Sequence, residues 1–237
     1  MKHLIETIDL SSLTRVDYDR IVLDSTANKI IVRGGVTYEY VDLGLSVKWA
    51  KCNVGAKTET DFGDYFMWGS TKPNTTQECN WANAPFNGGN TSYNANAFNQ
   101  DKDTACPNGI LAKEYDAAAK IMGGDWRIPT DTEFQELLDN TDNEWIEDYN
   151  GTGVNGRKFT SMKNGNSIFI PAAGLYLDGS VGGVGSEGNV WTSSLRTSKP
   201  DYAYTLFFDI SLINADDYEY YGFSYRCNGL PVRGVCE

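Results

Sequence analysis

The sequence predicts an α+β fold with two helices and a mainly antiparallel sheet, and three observations carry that expectation. Two helix-like stretches, Leu111–Ile121 and a segment opening at Pro129-Thr130, are followed by a run of strand-like segments after Gly151. Turn-forming residues punctuate those segments throughout. The 237 residues are 41% apolar and 13% aromatic, enough to build a sizeable core.

Residues 1–35 predict a small N-terminal β element. Arg20–Asp24 and Lys29–Arg33 are β-branched runs joined by the turn-forming Ser25-Thr-Ala-Asn28, and Gly34-Gly35 closes the unit. A hairpin of that size does not stand alone, so it covers the main domain or serves attachment and assembly. The main domain is expected over residues 36–237. Val36–Leu43 alternates as a strand, and Ser46–Trp49 continues the apolar pattern. Residues 70–110 hold eight asparagines between Asn74 and Asn99, together with Pro85 and Gly88-Gly89, which predicts a long ordered loop with little regular structure. In the first helix Leu111, Tyr115, Ala118 and Met122 recur at helical spacing, and Gly123-Gly124 stops it. In the second, Thr130 and Glu133 form a capping-box pattern ahead of the apolar Phe134, Leu137 and Leu138. The strands expected afterwards are Ser167–Pro171, Gly174–Leu177, Val190–Ser193, Ala203–Ile210, Phe223–Arg226 and Pro231–Val235.

Composition excludes much familiar chemistry. The formal net charge of −12 repels phosphate backbones, so nucleic acid is not an expected partner. The one histidine, His3, removes Ser-His-Asp and Cys-His arrangements and histidine-rich zinc sites. Five cysteines, an odd number with no C-x-x-C, read as free thiols in a reducing compartment, although a Cys227–Cys236 bridge stays open. The N-terminal MKHLIETIDLSSL lacks the apolar run of a secretory signal, and no window is apolar enough to span a membrane. No cofactor and no membrane insertion are expected.

The stretch from Tyr202 to Tyr225 is unusual in holding six of the 14 tyrosines. Alternation along Ala203–Ile210 groups Leu206, Phe208 and Ile210 on one face, with Tyr204 of the same parity, and Thr205, Phe207 and Asp209 on the other. The second face mixes aromatic, polar and charged side chains and is expected to point outward. Asp216-Asp217-Tyr218-Glu219-Tyr220-Tyr221 follows, acidic and aromatic without an aliphatic residue. Tyrosine combines a large rigid contact area with a hydroxyl at low entropic cost, which suits recognition. An ordinary aromatic-rich β region is the other reading. The candidate ligand-binding residues are Thr197, Asp201, Tyr202, Thr205, Phe207, Asp209, Ser211, Asp216, Asp217, Tyr218, Tyr220, Tyr221, Phe223 and Tyr225. Their carboxylates favour cationic or hydroxyl-rich ligands. Trp49, Trp68, Trp126 and Trp191 are expected in the core. Arg127 and Arg233 are expected to form buried pairs with carboxylates such as Asp64 or Asp125.

Several blocks taken together resemble a known arrangement. They are Tyr40-Val-Asp-Leu-Gly-Leu-Ser46, Trp49-Ala-Lys-Cys-Asn-Val-Gly-Ala56 and Gly63-Asp-Tyr-Phe-Met-Trp-Gly69, then Trp126-Arg-Ile-Pro-Thr130 and Glu133-Phe-Gln-Glu-Leu-Leu138. Gly165-Asn-Ser-Ile-Phe-Ile-Pro-Ala-Ala-Gly174, Trp191-Thr-Ser-Ser194 and Gly229-Leu-Pro-Val-Arg233 complete the series. In that order they resemble the C-type-lectin-like domains of gut Bacteroidales and their phages. That group shares its fold with formylglycine-generating enzymes and with the variable proteins of diversity-generating retroelements. The resemblance implies N- and C-terminal strands that pair and a ligand surface in the final third, here at residues 194–226.

It also implies a function: a non-enzymatic receptor-binding protein, of the phage-tropism type, whose partner is a bacterial cell-surface protein or glycan. Location on a virion, or in the bacterial cytoplasm without a signal peptide, fits that reading, as does a homo-oligomer such as a trimer. Adenine-directed mutagenesis of asparagine codons cannot yield Lys, Glu, Gln, Met or Trp. Those types supply 37 of 237 residues, yet Glu219 is the only one in the 27 residues 200–226, where about four are expected. Alternatives are a bacterial adhesin of the same fold, a carbohydrate-active enzyme built on two carboxylates, and a formylglycine-generating-like enzyme. Calcium-dependent sugar binding lacks its usual Glu-Pro-Asn or Gln-Pro-Asp triplet. Lys199-Pro200-Asp201 has a cation where the ligand belongs, which leaves Asp216 and Asp217 as the candidate cation ligands.

Overall fold

The computed structural model describes residues 22–24, 29–33, 36–177, 179–214 and 222–237. Strands β1 (Val22–Asp24) and β2 (Lys29–Arg33) form the expected hairpin, with Leu23 opposite Ile30. β3 (Val36–Val41) pairs with β2 and then with β4 (Lys48–Asn53), so the hairpin continues into the main sheet instead of forming its own. After the two-residue β5 (Tyr65–Phe66) comes the irregular asparagine-rich stretch. It contains a helix that the sequence reading missed, α1 (Ala95–Ala105). The Asn94 side chain caps it by accepting from the Asn96 and Ala97 amides, but only Phe98 and Ala105 are buried. Two apolar contacts over 11 residues do not make a periodic stripe.

α2 (Ala117–Met122) is shorter than the expected Leu111–Ile121. Leu111 donates its amide to the Ser193 carbonyl, and Lys113–Tyr115 forms a 3-10 turn. Helix begins only after Asp116, whose carboxylate accepts the Ala119 amide and, across the chain, that of Ile128. A side chain that caps the backbone in this way sets the boundary more strongly than apolar spacing does. Gly123, at φ 72, ends the helix as expected. α3 (Asp131–Asp139) starts with the full capping box of Thr130 and Glu133 and buries Phe134 and Leu137.

β6 (Thr141–Ile146), β7 (Gly156–Ser161) and β8 (Ser167–Pro171) form an antiparallel sheet. β9 (Leu175–Leu177) and β10 (Ser180–Gly182) make a hairpin. β11 (Gly188–Leu195) pairs with β12 (Tyr202–Phe208), which on its other edge pairs with β13 (Ile213–Asn214) and β14 (Phe223–Tyr225). β15 (Leu230–Pro231) joins β5, and β16 (Arg233–Cys236) joins β4 with Val235 opposite Trp49. The main sheet therefore runs β1-β2-β3-β4-β16, and the C-terminal strand pairs with an N-terminal one as expected. No helix among the described residues is long and apolar enough to cross a membrane.

Two large apolar clusters sit between these layers. One gathers Phe66, Trp68, Phe98, Trp126 and Trp191; the other gathers Trp49, Phe134, Phe159, Val190 and Phe208. All five cysteines are free thiols, with Cys236 in the first cluster and Cys227 in a separate one. Of the two arginines, Arg127 pairs with a carboxylate as expected, although not one of those named, and Arg233 does not. Arg127 pairs with Glu133, at 2.8 Å from NH1 to Oε2, because the capping box already holds that carboxylate beside it. Arg233 has no exposed surface and makes no described ion pair. Its Nε donates to Asn53 Oδ1 at 2.9 Å, NH1 to the Ala50 carbonyl at 2.9 Å, and NH2 to the Phe169 carbonyl at 2.9 Å. Backbone carbonyls at the joint of β4, β8 and β16 do the work that a carboxylate was expected to do. Burial pulls its pKa down to about 10.

Two predictions follow from these contacts. Arg233→Leu removes the guanidinium donors from four oxygens of that joint, and urea denaturation should show a loss of about 3 kcal/mol or more. An unchanged midpoint would remove Arg233 from its proposed role. The second concerns Asp116, whose carboxyl is pushed by burial from 3.8 up to about 6, despite the amides it accepts. The folded chain thus holds this proton more tightly than the unfolded chain. The resulting stability is present below about pH 4 and lost as pH rises through 6. Between those values the wild type should lose up to about 3 kcal/mol relative to Asp116→Asn, read from urea curves at each pH.

Candidate ligand-binding surface

The tail surface is built on β12, whose neighbours fix which side chains face out. Tyr202 lies opposite Tyr225 and Tyr204 opposite Phe223, while Ala203 lies opposite Ser224. Directly opposed residues share a face, so four rings stand together on one side and two small residues on the other. The small residues are buried; Tyr225 is 41% exposed, and Tyr202, Tyr204 and Phe223 are half-buried. The Tyr202 and Tyr225 rings stack at 4.2 Å, and Phe223 meets Tyr202 edge-on at 5.2 Å. Burial, together with a hydrogen bond to Tyr225, raises the Tyr202 pKa.

The expected sidedness of the strand holds for Leu206 and Phe208, which are buried, but not for the other face. Thr205 and Phe207, placed outward by the mixed character of their face, are 1% and 6% exposed. Their parity is that of Ala203, which packs into the cluster around Trp68 and Trp191. The opposite face is open at Tyr202 and Tyr204 but covered further along. There Leu206 and Phe208 enter the second cluster, and Phe208 lies so close to Gly188 that a Cβ there would sit 2.0 Å from its ring. Ile210, expected among the apolar face, is 64% exposed just past the strand.

The remaining candidates fall into two patches. Thr197 is exposed and Asp201 half-buried near the Tyr202 end. Asp209 and Ser211 lie at the other end, about 23 Å away at the usual strand rise. Asp209 is committed to its own turn: its Oδ1 accepts from the Ser211 and Leu212 amides at 2.7 and 2.6 Å, which with the Ser211 hydroxyl holds its pKa down against burial. Arg157 clamps that turn through the Asp209 carbonyl at 2.7 Å. Asp216, Asp217, Tyr218, Tyr220 and Tyr221 lie outside the described residues.

Four side chains that sequence reasoning passed over complete the Tyr202 end. Arg196 places its guanidinium 4.0 Å from the centre of the Phe223 ring. Trp81 meets Tyr225 edge-to-face at 6.1 Å and an angle of 77°, and touches Tyr93 at 5.4 Å. Beneath them the fully buried Arg226 sits 4.2 Å from the Phe98 ring and within 6 Å of Trp68, Trp81 and Tyr93. Its Nε donates to the Pro200 carbonyl at 2.7 Å, tying the start of β12 to the end of β14. Burial lowers the Arg226 pKa. Trp81 and Tyr93 are held by Asn87, a buried hub whose amide nitrogen reaches the Trp81, Asn90 and Ser92 carbonyls at 2.8 to 3.0 Å. The available signal was aromatic: Trp81, Phe86, Tyr93 and Phe98 punctuate a stretch that asparagine count alone makes look like a spacer.

The Trp49, Trp68, Trp126 and Trp191 side chains are all buried, and Trp68 and Trp191 donate their indole N–H groups to the Thr192 and Phe66 carbonyls. No cluster of three or more His, Cys, Asp or Glu residues suited to a metal occurs among the described residues. A cavity of about 480 Å³ beside β3 and β4 is lined by Tyr38, Lys51, Cys52 and Glu59, but burial raises the Cys52 pKa, which works against a thiolate nucleophile. Comparison with protein-family models, with curated proteins and with solved structures gives no match to this chain.

The sidedness is testable by substitution. Phe207→Ala should cost about 3 kcal/mol in urea denaturation, whereas Tyr225→Ala should stay within about 1 kcal/mol of wild type. Equal effects of the two changes would contradict the assignment of faces.

Proposed function

We propose that this chain is a non-enzymatic receptor-binding protein that presents the Tyr202 end of β12 and β14 to a molecule on a bacterial surface. One observation carries the reading: Tyr202, Tyr204, Phe223 and Tyr225 share a face whose opposite side is packed core. Rings held at fixed spacing on a rigid floor give contact area with little entropy left to lose on binding. The resemblance to C-type-lectin-like variable proteins of Bacteroidales and their phages points the same way, and a virion-borne, oligomeric form belongs to the same proposal. Retroelement diversification of residues 200–226 would change the chemistry of those rings and leave Ala203, Ser224 and Arg226 as the floor. The formylglycine-generating alternative draws no support from Cys227 and Cys236, which are buried in separate clusters.

Fluorescently labelled full-length protein should bind saturably to some strains in a panel of intact gut Bacteroidales cells. Tyr225→Ala should weaken that binding by about tenfold or more, with a melting temperature within about 3 °C of wild type. Absence of saturable binding across the panel, or undiminished binding by the variant, would refute the proposal.

A further inference from the structure

We propose that β6 is a docking edge, and that it takes an extended segment of another protein in which basic and apolar side chains alternate. The proposal stands apart from the receptor-binding reading. Among the described strands of five residues or more, β6 alone has an edge without a hydrogen bond to another described residue. β2, β3, β4, β7 and β12 have a strand on both sides. β8 gives its Phe169 carbonyl to Arg233, and the Ser193 carbonyl and amide of β11 are taken by Leu111 and Pro129. β6 pairs with β7 in unbroken register, from Thr141 opposite Ser161 to Ile146 opposite Gly156, and contains no proline. In an antiparallel pair every second residue turns its N–H and C=O away from the partner strand. β6 therefore presents a row of unpaired donors and acceptors on its outer side. An extended backbone is the ligand that matches such a row.

The side chains of β6 specify the kind of strand. Asp142 and Glu144 share one face and are exposed, and the exposed Glu147 and Asp148 follow directly. Lys158 stands opposite Glu144 on β7 without forming an ion pair with it. The other face turns inward. Thr141 donates to the Leu137 carbonyl, Asn143 accepts from Arg157, and Trp145 meets Phe208 of the second cluster at 6.4 Å. Trp145 is only half-buried, so the core stops there at an incompletely covered ring. Residues directly opposed across a ladder share a face, so an added strand sets every second side chain beside the carboxylates and the rest beside Trp145. Basic residues suit the first set and apolar residues the second. A second copy of this chain does not meet that requirement. Pairing β6 with itself, in any register that keeps the two faces aligned, sets acid beside acid, and two chains of net charge −12 repel. The fitting partner is a different, basic protein.

The probe is a synthetic peptide of alternating Lys and Val, compared with its fully N-methylated counterpart, which keeps every side chain and charge but has no N–H to donate. The full chain should bind the first peptide saturably and about tenfold or more tighter than the second, the margin of one or two main-chain hydrogen bonds. Hydrogen–deuterium exchange should show new protection over residues 141–146. Asp142→Lys combined with Glu144→Lys should weaken binding by about tenfold or more. If melting shows that variant to be unfolded, Asp142→Asn with Glu144→Gln carries the comparison, with a loss of about threefold. Equal binding of the two peptides would mean charge attraction without strand pairing and would overturn the proposal. No saturable binding, protection confined to other segments, or full-strength binding by the folded charge variants would do the same. Protection over 141–146 that appears in the protein alone as its concentration rises would give the edge to a second copy and overturn the basic partner. Each of these failures leaves the receptor-binding reading of the Tyr202 end untouched.

Discussion

Arg233 is a fully buried cation whose described hydrogen-bond partners are all neutral, and the meeting of β4, β8 and β16 depends on keeping its donors satisfied. Desolvating a guanidinium costs several kcal/mol, so a position that tolerates one has to supply oxygens from every side. Here they come from Asn53, Ala50, Lys51 and Phe169, which belong to strands far apart in the chain. A lysine has three donors on a compact head and cannot span the same set. With Arg233 in place, Val235 falls opposite Trp49 and exchanges amide hydrogen bonds with Arg127 on its other side. Leu230 is then drawn against Phe66 just upstream. In chain order β11, β12 and β14 lie between β8 and this joint.

Within that span, β12 passes between two cores, and this explains why the surface is short. Where Trp145, Val190 and the Gly188 backbone approach, the face carrying Leu206 and Phe208 is taken up by packing, and Thr205 and Phe207 are buried on the other. Only Tyr202 and Tyr204, near the start of β12, escape, and there β14 adds Phe223 and Tyr225 to them. Arg226 then has two jobs. It lies within 6 Å of the Trp81 and Tyr93 rings, and it links the Pro200 turn to β14, so both groups of rings share one support.

Local chemistry was the legible part of the sequence. The capping box at Thr130 and Glu133, the Gly123 stop, the first hairpin and most later strands are written in residues that act on their neighbours. What local pattern could not convey was the third dimension. Leu111 and Tyr115 kept helical spacing without joining the α-helix, because Asp116 caps one residue before Ala117 and the Ser193 carbonyl claims the Leu111 amide. β6 reads as a polar stretch and pairs only because β7 lies beside it. Alternation along β12 correctly separated odd from even positions but could not say which set would meet core, since each face meets it over a different length. Trp81 was invisible as a site residue because its partner, Tyr225, is 144 positions away (225 minus 81).

The alternation of β14 and the first half of β12 has a consequence for heritable change. Neighbouring codons there carry opposite constraints: positions 202, 204, 223 and 225 alter what the exterior offers, whereas 203, 224 and 226 alter whether the chain folds. A lineage can therefore revise every second residue and keep its architecture, and the run of permissible revision ends at Arg226, a large side chain turned wholly inward.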